Sequence, residues 1–182
     1  MSQPNTQQAP AARAGGIPPA QAEQPRQYLT FTLSSEVFAI GILAIKEIIE
    51  YSTLTSVPMM PAYVRGVINL RGAVVPVLDL SVRFGKTASA VTKKTCIVII
   101  EITTAGERQD VGVVVDAVDS VLDIPPDQIE PPPAFGARIG TDFIEGMGKV
   151  NGRFVILLDV NSVLAPEEAA LLRTDENPAD GS

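Results

Sequence analysis

The chain of 182 residues contains no histidine and no tryptophan, and it has a single cysteine. Each absence excludes something. Without imidazole there is no base that titrates near neutral pH, no Ser-His or Cys-His pair, and no histidine ligand for a metal. Asp, Glu and Lys remain available for chemistry. However, the sequence shows no paired-carboxylate motif, no glycine-rich phosphate loop and no spaced ligand cluster. No catalytic residue, cofactor or metal is therefore expected. Cys96 has no intramolecular disulfide partner and heads the apolar run CIVII, so it reads as a small buried hydrophobe. Aromatics make up 5% of the residues and are scattered, which disfavours an aromatic-lined groove for proline-rich peptides. No apolar run approaches the ~18 residues that would span a bilayer. The first residues lack the charged-then-apolar pattern of a secretory leader. A formal net charge of -7 disfavours non-specific nucleic-acid binding. A soluble cytoplasmic protein is the expectation.

What the chain does have is a repeat. Val64–Leu80 reads VRGVINLRGAVVPVLDL and Ile144–Val160 reads IEGMGKVNGRFVILLDV. Aligned without a gap, at an offset of 80 residues, they share Gly66/Gly146, Gly72/Gly152, Val75/Val155, Leu78/Leu158 and Asp79/Asp159. Recurrence within one chain favours a backbone reason for the glycines: a turn, a bulge or a close approach. The aspartates read as turn or helix caps. The similarity extends upstream. Phe38-Ala39-Ile40 matches Val111-Gly112-Val113, Ala44-Ile45 matches Ala117-Val118, and Ile48-Ile49 matches Val121-Leu122, all at an offset of 73.

Around the repeat lies a β-rich body of short runs punctuated by Gly, Pro, Ser and Asp. Residues 1–25 and 173–182 bury too little apolar surface to order themselves and read as disordered tails. Strands are expected at Gln27–Leu33, Glu36–Ile42, within Leu43–Tyr51, in both copies of the hairpin, and at Cys96–Ile102, Asp110–Val115 and Val118–Leu122. The spacing of Ile45, Ile48 and Ile49 is ambiguous between a helical turn and a strand, and the density of isoleucine favours the strand. Pro76 inside the first hairpin argues for an edge strand or a bulge. Arg83–Lys94 and the proline-rich Pro125–Gly140 read as connections, while Asn161–Leu164 and Pro166–Leu172 look helical. Each half thus offers about five short strands, and closing such strands into a barrel removes exposed edges. The expected fold is all-β: two SH3-like five-stranded β-barrels sharing a hydrophobic core, with a short C-terminal helix. The domain would span 26–172, the first barrel about 26–90, the second about 91–160, and the helical segment 161–172. A single β-sandwich is the alternative.

The ordered series FAIGILAIKEIIE, VPMMPAYVRGVINLRGAVVPVLDL, VGVVVDAVDSVLDI, IEPPP and FIEGMGKVNGRFVILLDV resembles the CheW family, and the resemblance covers Gln27–Leu172. It implies two SH3-like barrels around a common core. It also implies a non-enzymatic adaptor in chemotaxis signalling, one that links transmembrane chemoreceptors to the histidine kinase CheA and helps assemble their array. The implied partners are the regulatory domain of CheA and the cytoplasmic tips of the receptors. Nucleic acid is not among them, and the membrane is reached only through the receptors. A different class of function, a peptide- or small-ligand-binding barrel acting as a sensor, remains the alternative.

The difference between the two hairpins selects the candidate contact residues. The first carries Asn69-Leu70-Arg71-Gly72 where the second carries Lys149-Val150-Asn151-Gly152. Asn-Gly is the strongest two-residue hairpin signal. If both copies use the same turn, Arg71 occupies a position needing positive φ, which costs an ordinary residue on the order of 1 kcal/mol. Such a departure from a local rule tends to mark function. The plainer reading is that Arg71 pairs with a carboxylate, Glu47 above all, and only braces the fold. Strand alternation places Ile45 and Glu47 on one face and Lys46 and Ile48 on the other. For each isoleucine, core packing competes with partner docking. The second half has Ser120 in place of Glu47, so the first barrel is the better candidate for partner contacts. The candidates are Ile45, Glu47, Ile48, Asn69 and Arg71, with Gly66, Gly72, Gly146 and Gly152 as structural turn glycines.

Overall fold

In a computed structural model of the chain, the described residues are 26–132 and 143–172. The two expected tails, and the stretch from Pro133 to Gly140 of the proline-rich connection, lie outside them. Eleven strands form among the described residues: β1 (Arg26–Leu33), β2 (Glu36–Gly41), β3 (Ile45–Glu50), β4 (Val64–Leu70), β5 (Ala73–Asp79), β6 (Cys96–Thr104), β7 (Glu107–Val115), β8 (Ala117–Ile124), β9 (Ile129–Glu130), β10 (Ile144–Val150) and β11 (Arg153–Leu158). Two short helices, α1 (Leu80–Arg83) and α2 (Pro166–Leu172), complete the set with three single 3-10 turns. One of these turns, Ile42–Ala44, ends β2 at Gly41. Another, Val160–Ser162, takes the place of the expected helix at Asn161–Leu164. The ambiguous LAIKEIIEY segment is therefore a strand preceded by a turn.

The strands sort into a five-stranded sheet, in the order β3-β6-β7-β5-β4, and a six-stranded one, β8-β1-β2-β11-β10-β9. This corrects the expected division of the chain near residue 90. β1 and β2 leave their own half and join β8 to β11, while β6 and β7 join β3 to β5. The exchange is reciprocal, and it preserves the offsets seen in the sequence. The parallel pair Val77↔Gly112 in one sheet corresponds to Leu157↔Ala39 in the other. Likewise Ile48↔Val98 corresponds to Val121↔Leu29. Strand propensity and alternation cannot reveal such an exchange, because both describe a strand and neither names its neighbour.

Burial follows from the exchange. Val98, Ile100 and Ile102 of β6 and Val111, Val113 and Val115 of β7 face a central core, which they share with Leu29, Phe31, Phe38 and Ile40 of β1 and β2. The opposite face of β6 and β7, with Ile97, Ile99 and Val114, closes over Val75, Val77 and Ile68 inside the five-stranded sheet. Tyr28, Ala39, Ile124, Val155 and Leu157 fill the six-stranded one. A strand buried on both faces reads as an unbroken apolar run, which is the pattern of CIVII. Each sheet thus wraps a core of its own, as a barrel does, and the third core lies between them. Four phenylalanines, dispersed in sequence, form a run from this core outward: Phe31 stacks on Phe38 (6.2 Å), Phe38 on Phe84 (5.8 Å), and Phe84 packs on Phe143 (5.6 Å). Cys96 is half-buried rather than buried, and partial burial and Glu50 push its thiol pKa up.

The recurrent glycines have backbone reasons. Gly66 and Gly146 each follow a register shift in the hairpin ladder. A Cβ on Gly66, at φ +152°, would lie 2.5 Å from the Thr55 carbonyl oxygen, and one on Gly146 would meet Glu130 O at 3.0 Å. Pro76 is not on an edge strand, since β5 lies between β4 and β7. It stands one residue before the parallel ladder to β7 begins at Val77, whereas in the second hairpin that ladder includes Ile156. Asp79 and Asp159 cap the turns that follow them, accepting hydrogen bonds from Ser81 N (3.0 Å) and Asn161 N (3.1 Å). Asp79 is fully buried and also pairs with Arg65 Nη1 at 2.7 Å and accepts from Ser89 N at 2.9 Å.

Two outcomes are expected from urea unfolding. Gly66→Ala should cost about 2–3 kcal/mol because the Thr55 backbone must move, while Gly72→Ala, with open space around it, should cost about 1 kcal/mol. Asp79→Ala should cost about 3–5 kcal/mol by stranding the Arg65 cation, whereas Asp159→Ala, which loses a cap alone, should cost about 1 kcal/mol.

Candidate functional site

The first hairpin turns at Arg71-Gly72 with φ of 54° and 88°, and the second at Asn151-Gly152 with φ of 52° and 79°. Both pairs have the double positive φ of a type I′ turn. Arg71 therefore occupies a left-handed position that asparagine tolerates and arginine does not favour. Part of the compensation is local. The Asn69 side chain accepts a hydrogen bond from Gly72 N at 3.0 Å, and the second hairpin has Lys149 at that place. Asn69, a candidate contact residue, thus has a turn-bracing role in its own right.

The turn aims Arg71 across the mouth of the five-stranded sheet at Glu47 on β3. The contact is a fork: Arg71 Nη1 donates to Glu47 Oε2 at 3.1 Å, and Nη2 donates to Oε1. The hydrogen bond from Arg71 holds the Glu47 carboxyl below the usual carboxylate range, and the carboxylate in turn raises the arginine. Beside them Lys46 Nζ lies 3.2 Å from Asp110. The two ion pairs rim a cavity of about 400 Å³ floored by Leu70, Val75 and Ile99. A charged rim over an apolar floor is the anatomy of a protein-docking patch.

The isoleucines of β3 do not follow simple alternation. Ile45 pairs with Ile100 and Glu47 with Ile99, so Lys46 is the extra residue of a β-bulge. The bulge puts Ile45 and Glu47 on opposite faces, which corrects the expectation that they share one. Ile45 packs against the central core. Ile48, on the same side as Ile45, is 43% exposed. The same device recurs in β8, where Asp119 is skipped between Ser120 and Val118. There Val118 packs against the central core and Val121 is 46% exposed. Both β3 and β8 end their sheets. The structure thus brings Glu47, Asn69 and Arg71 together, leaves Ile48 partly exposed on the opposite face of β3, and assigns Ile45 to packing. Sequence reasoning missed Lys46 and Asp110. The bulge that turns Lys46 outward has no local sequence signature.

The family profile described as the CheW-like domain matches residues 27–168. The chain is similar to a chemotaxis protein CheW of Klebsiella aerogenes, 36% identical over 147 residues, covering 81% of this chain and 86% of the relative. It is similar to another of Bacillus subtilis, 32% identical over 151 residues, covering 82% and 94%. Among solved structures, it is similar to the scaffolding protein TtCheW of Thermoanaerobacter tengcongensis, with a TM-score of 0.69 and 34% identity, covering 76% of this chain and 87% of that one.

Arg71→Asn, which installs the residue of the second hairpin, separates the two roles of this position. Thermal unfolding should move up by a few degrees, because the left-handed turn is relieved and an exposed ion pair contributes little. In a carboxyl-resolved NMR titration, the Glu47 pKa should rise to the ordinary value. The stability supplied by that depressed carboxyl is present above the unfolded-state pKa and is lost as pH falls through the folded one. The variant should lack that loss. A large drop in melting temperature would show that Arg71 braces the fold.

Proposed function

From the premise that this chain belongs to the CheW family, we propose that it joins the cytoplasmic tips of transmembrane chemoreceptors to the regulatory domain of the histidine kinase CheA. The chain is a chemotaxis coupling adaptor with a CheW-like domain of two β-barrels. The finer reading, with its named partners, rests on one observation above the others. Arg71 adopts a turn conformation that the second hairpin reserves for asparagine, and it uses that turn to present a fork with Glu47 over an apolar-floored cavity. A residue kept in an unfavourable backbone conformation at an exposed position is better explained by a partner than by the fold.

The adaptor does no chemistry of its own in this reading. It works in the cytoplasm and meets the membrane only through the receptors to which it is recruited. No helix among the described residues is long and apolar enough to cross a membrane. Two of the exposed apolar residues, Ile48 on β3 and Val121 on β8, sit on the end strands of different sheets and suit contacts with different neighbours. That is what assembly into an array requires, since one contact holds one partner and two extend a network. The sensor alternative lacks comparable support, because Phe31, Phe38 and Phe84 stack in or against the shared core and Tyr28 and Tyr51 pack with the two barrel interiors rather than lining one groove.

A retention assay on immobilised protein, with the CheA regulatory domain and a soluble receptor tip as separate analytes, tests the proposal. Both should be retained, and Arg71→Asn and Ile48→Lys should each weaken at least one of them about tenfold or more, the range expected for a central interface residue. Retention of neither analyte by the folded protein would sink the adaptor assignment as stated.

A further inference from the structure

In the first hairpin the capping Asp79 has a cationic partner, because the Arg65 guanidinium spans three acceptors: Asp79 Oδ2 at 2.7 Å, the Ser89 carbonyl oxygen at 3.1 Å and the Tyr51 hydroxyl at 3.3 Å. In the second hairpin the capping role of Asp159 is kept, through Asn161 N and Ser162 Oγ. Its cation is gone. At the offset of 80 that relates the hairpins, Glu145 stands where Arg65 stood. A tyrosine is again present: Tyr28 of β1 is 2% exposed, and among the described residues its hydroxyl has no hydrogen-bond partner of normal geometry. Tyr28, Glu145 and Asp159 all line one cavity of about 590 Å³. Its apolar wall includes Ile42, Ala44 and Leu43, whose side chain is 100% exposed.

We propose that this cavity binds an arginine side chain presented by a protein partner, whose guanidinium takes the place that Arg65 fills within the first hairpin. Charge supports a cation there. Partial burial and then the neighbouring Asp159 push the Glu145 carboxyl up, and burial first and Glu145 second raise the Tyr28 hydroxyl, with Arg26 opposing both shifts. The nearby Arg26 does not fill the place. It stands in the cavity wall, acts on the Tyr28 hydroxyl and reaches Glu145 at 3.9 Å, but 72% of its side chain lies in solvent and, among the described residues, no ion pair joins it to Asp159. A planar guanidinium suits a carboxylate, a second carboxylate and a phenol oxygen set around one space better than a compact ammonium does, and it is the more weakly hydrated of the two. The Leu43 wall calls for an apolar residue next to that arginine. The inference does not depend on the named partners above, and its test uses neither of them.

The test is a residue-resolved NMR titration of the full chain with acetyl-Leu-Arg-amide, against the neutral isostere acetyl-Leu-citrulline-amide and the lysine analogue. Shifts from the arginine peptide should centre on Tyr28, Leu43, Glu145 and Asp159, with the other two peptides about tenfold weaker or more, as expected when a charged, bidentate contact is lost. Glu145→Arg should abolish the shifts by restoring the arrangement of the first hairpin. Glu145→Gln, which keeps the shape, should weaken binding several-fold should the first variant fail to fold. Arg26→Ala should leave binding intact or tighten it. Absence of shifts at these residues, equal binding of the citrulline or lysine peptide, or unchanged binding in the Glu145 variants would overturn the proposal.

Discussion

The structure depends on the central core, in which β1 and β2 from one half of the chain face β6 and β7 from the other. Each of these strands buries residues on both sides, because one side faces the shared core and the other a barrel interior. The reciprocal exchange of hairpins makes this possible. Neither half can close a barrel with its own strands, since the parallel ladders β2–β11 and β5–β7 both cross between halves. Contacts of such long sequence separation carry a large closure entropy, and the extended apolar surface they bury opposes it. Two barrels that shared only a surface could move relative to one another. Two that have exchanged strands hold their outer faces in a defined relation, as suits an adaptor.

Duplication also supplies an internal reference for every local departure. Where both copies agree, the reason is the backbone: glycine at the hairpin bulge, glycine closing the type I′ turn, aspartate capping the next turn. Where they differ, the chain has diverged to two ends. The first hairpin has Arg71 at its turn and uses Arg65 for its own aspartate. The second has the favourable Asn151 and places Glu145 near Asp159. One copy therefore exposes a cation and satisfies its buried carboxylate, while the other exposes nothing unusual at its turn and leaves carboxylates open toward a cavity.

Much of the fold was legible before the structure. The hairpins, the strand status of Ile45–Glu50, the shared core, the α2 segment and the positive φ at Arg71 all follow from periodicity and from the repeat. The Glu47 partner of Arg71 was legible as well, being the acid of a nearby strand. What escaped had no local signature. The bulge at Lys46 inverts the facing of Ile45 and leaves no mark in composition. Pro76 suggested an edge, yet it sits inside the sheet at the residue where the parallel ladder has not begun. The half-burial of Cys96, and the pairing of Lys46 with Asp110 across 64 residues, depend on what the strand packs beside.

By itself, the sequence determined the kinds of element, their order, their turn chemistry and the family to which the chain belongs. These are properties of local backbone preference and of residue identity, and a repeat displays them twice. Only the tertiary structure decided which strands are neighbours, because alternation specifies a face and not a partner. It therefore also decided where each barrel begins and ends, which isoleucine of β3 is buried and which is offered to solvent, and that a tyrosine of the first strand meets two carboxylates of the last hairpin.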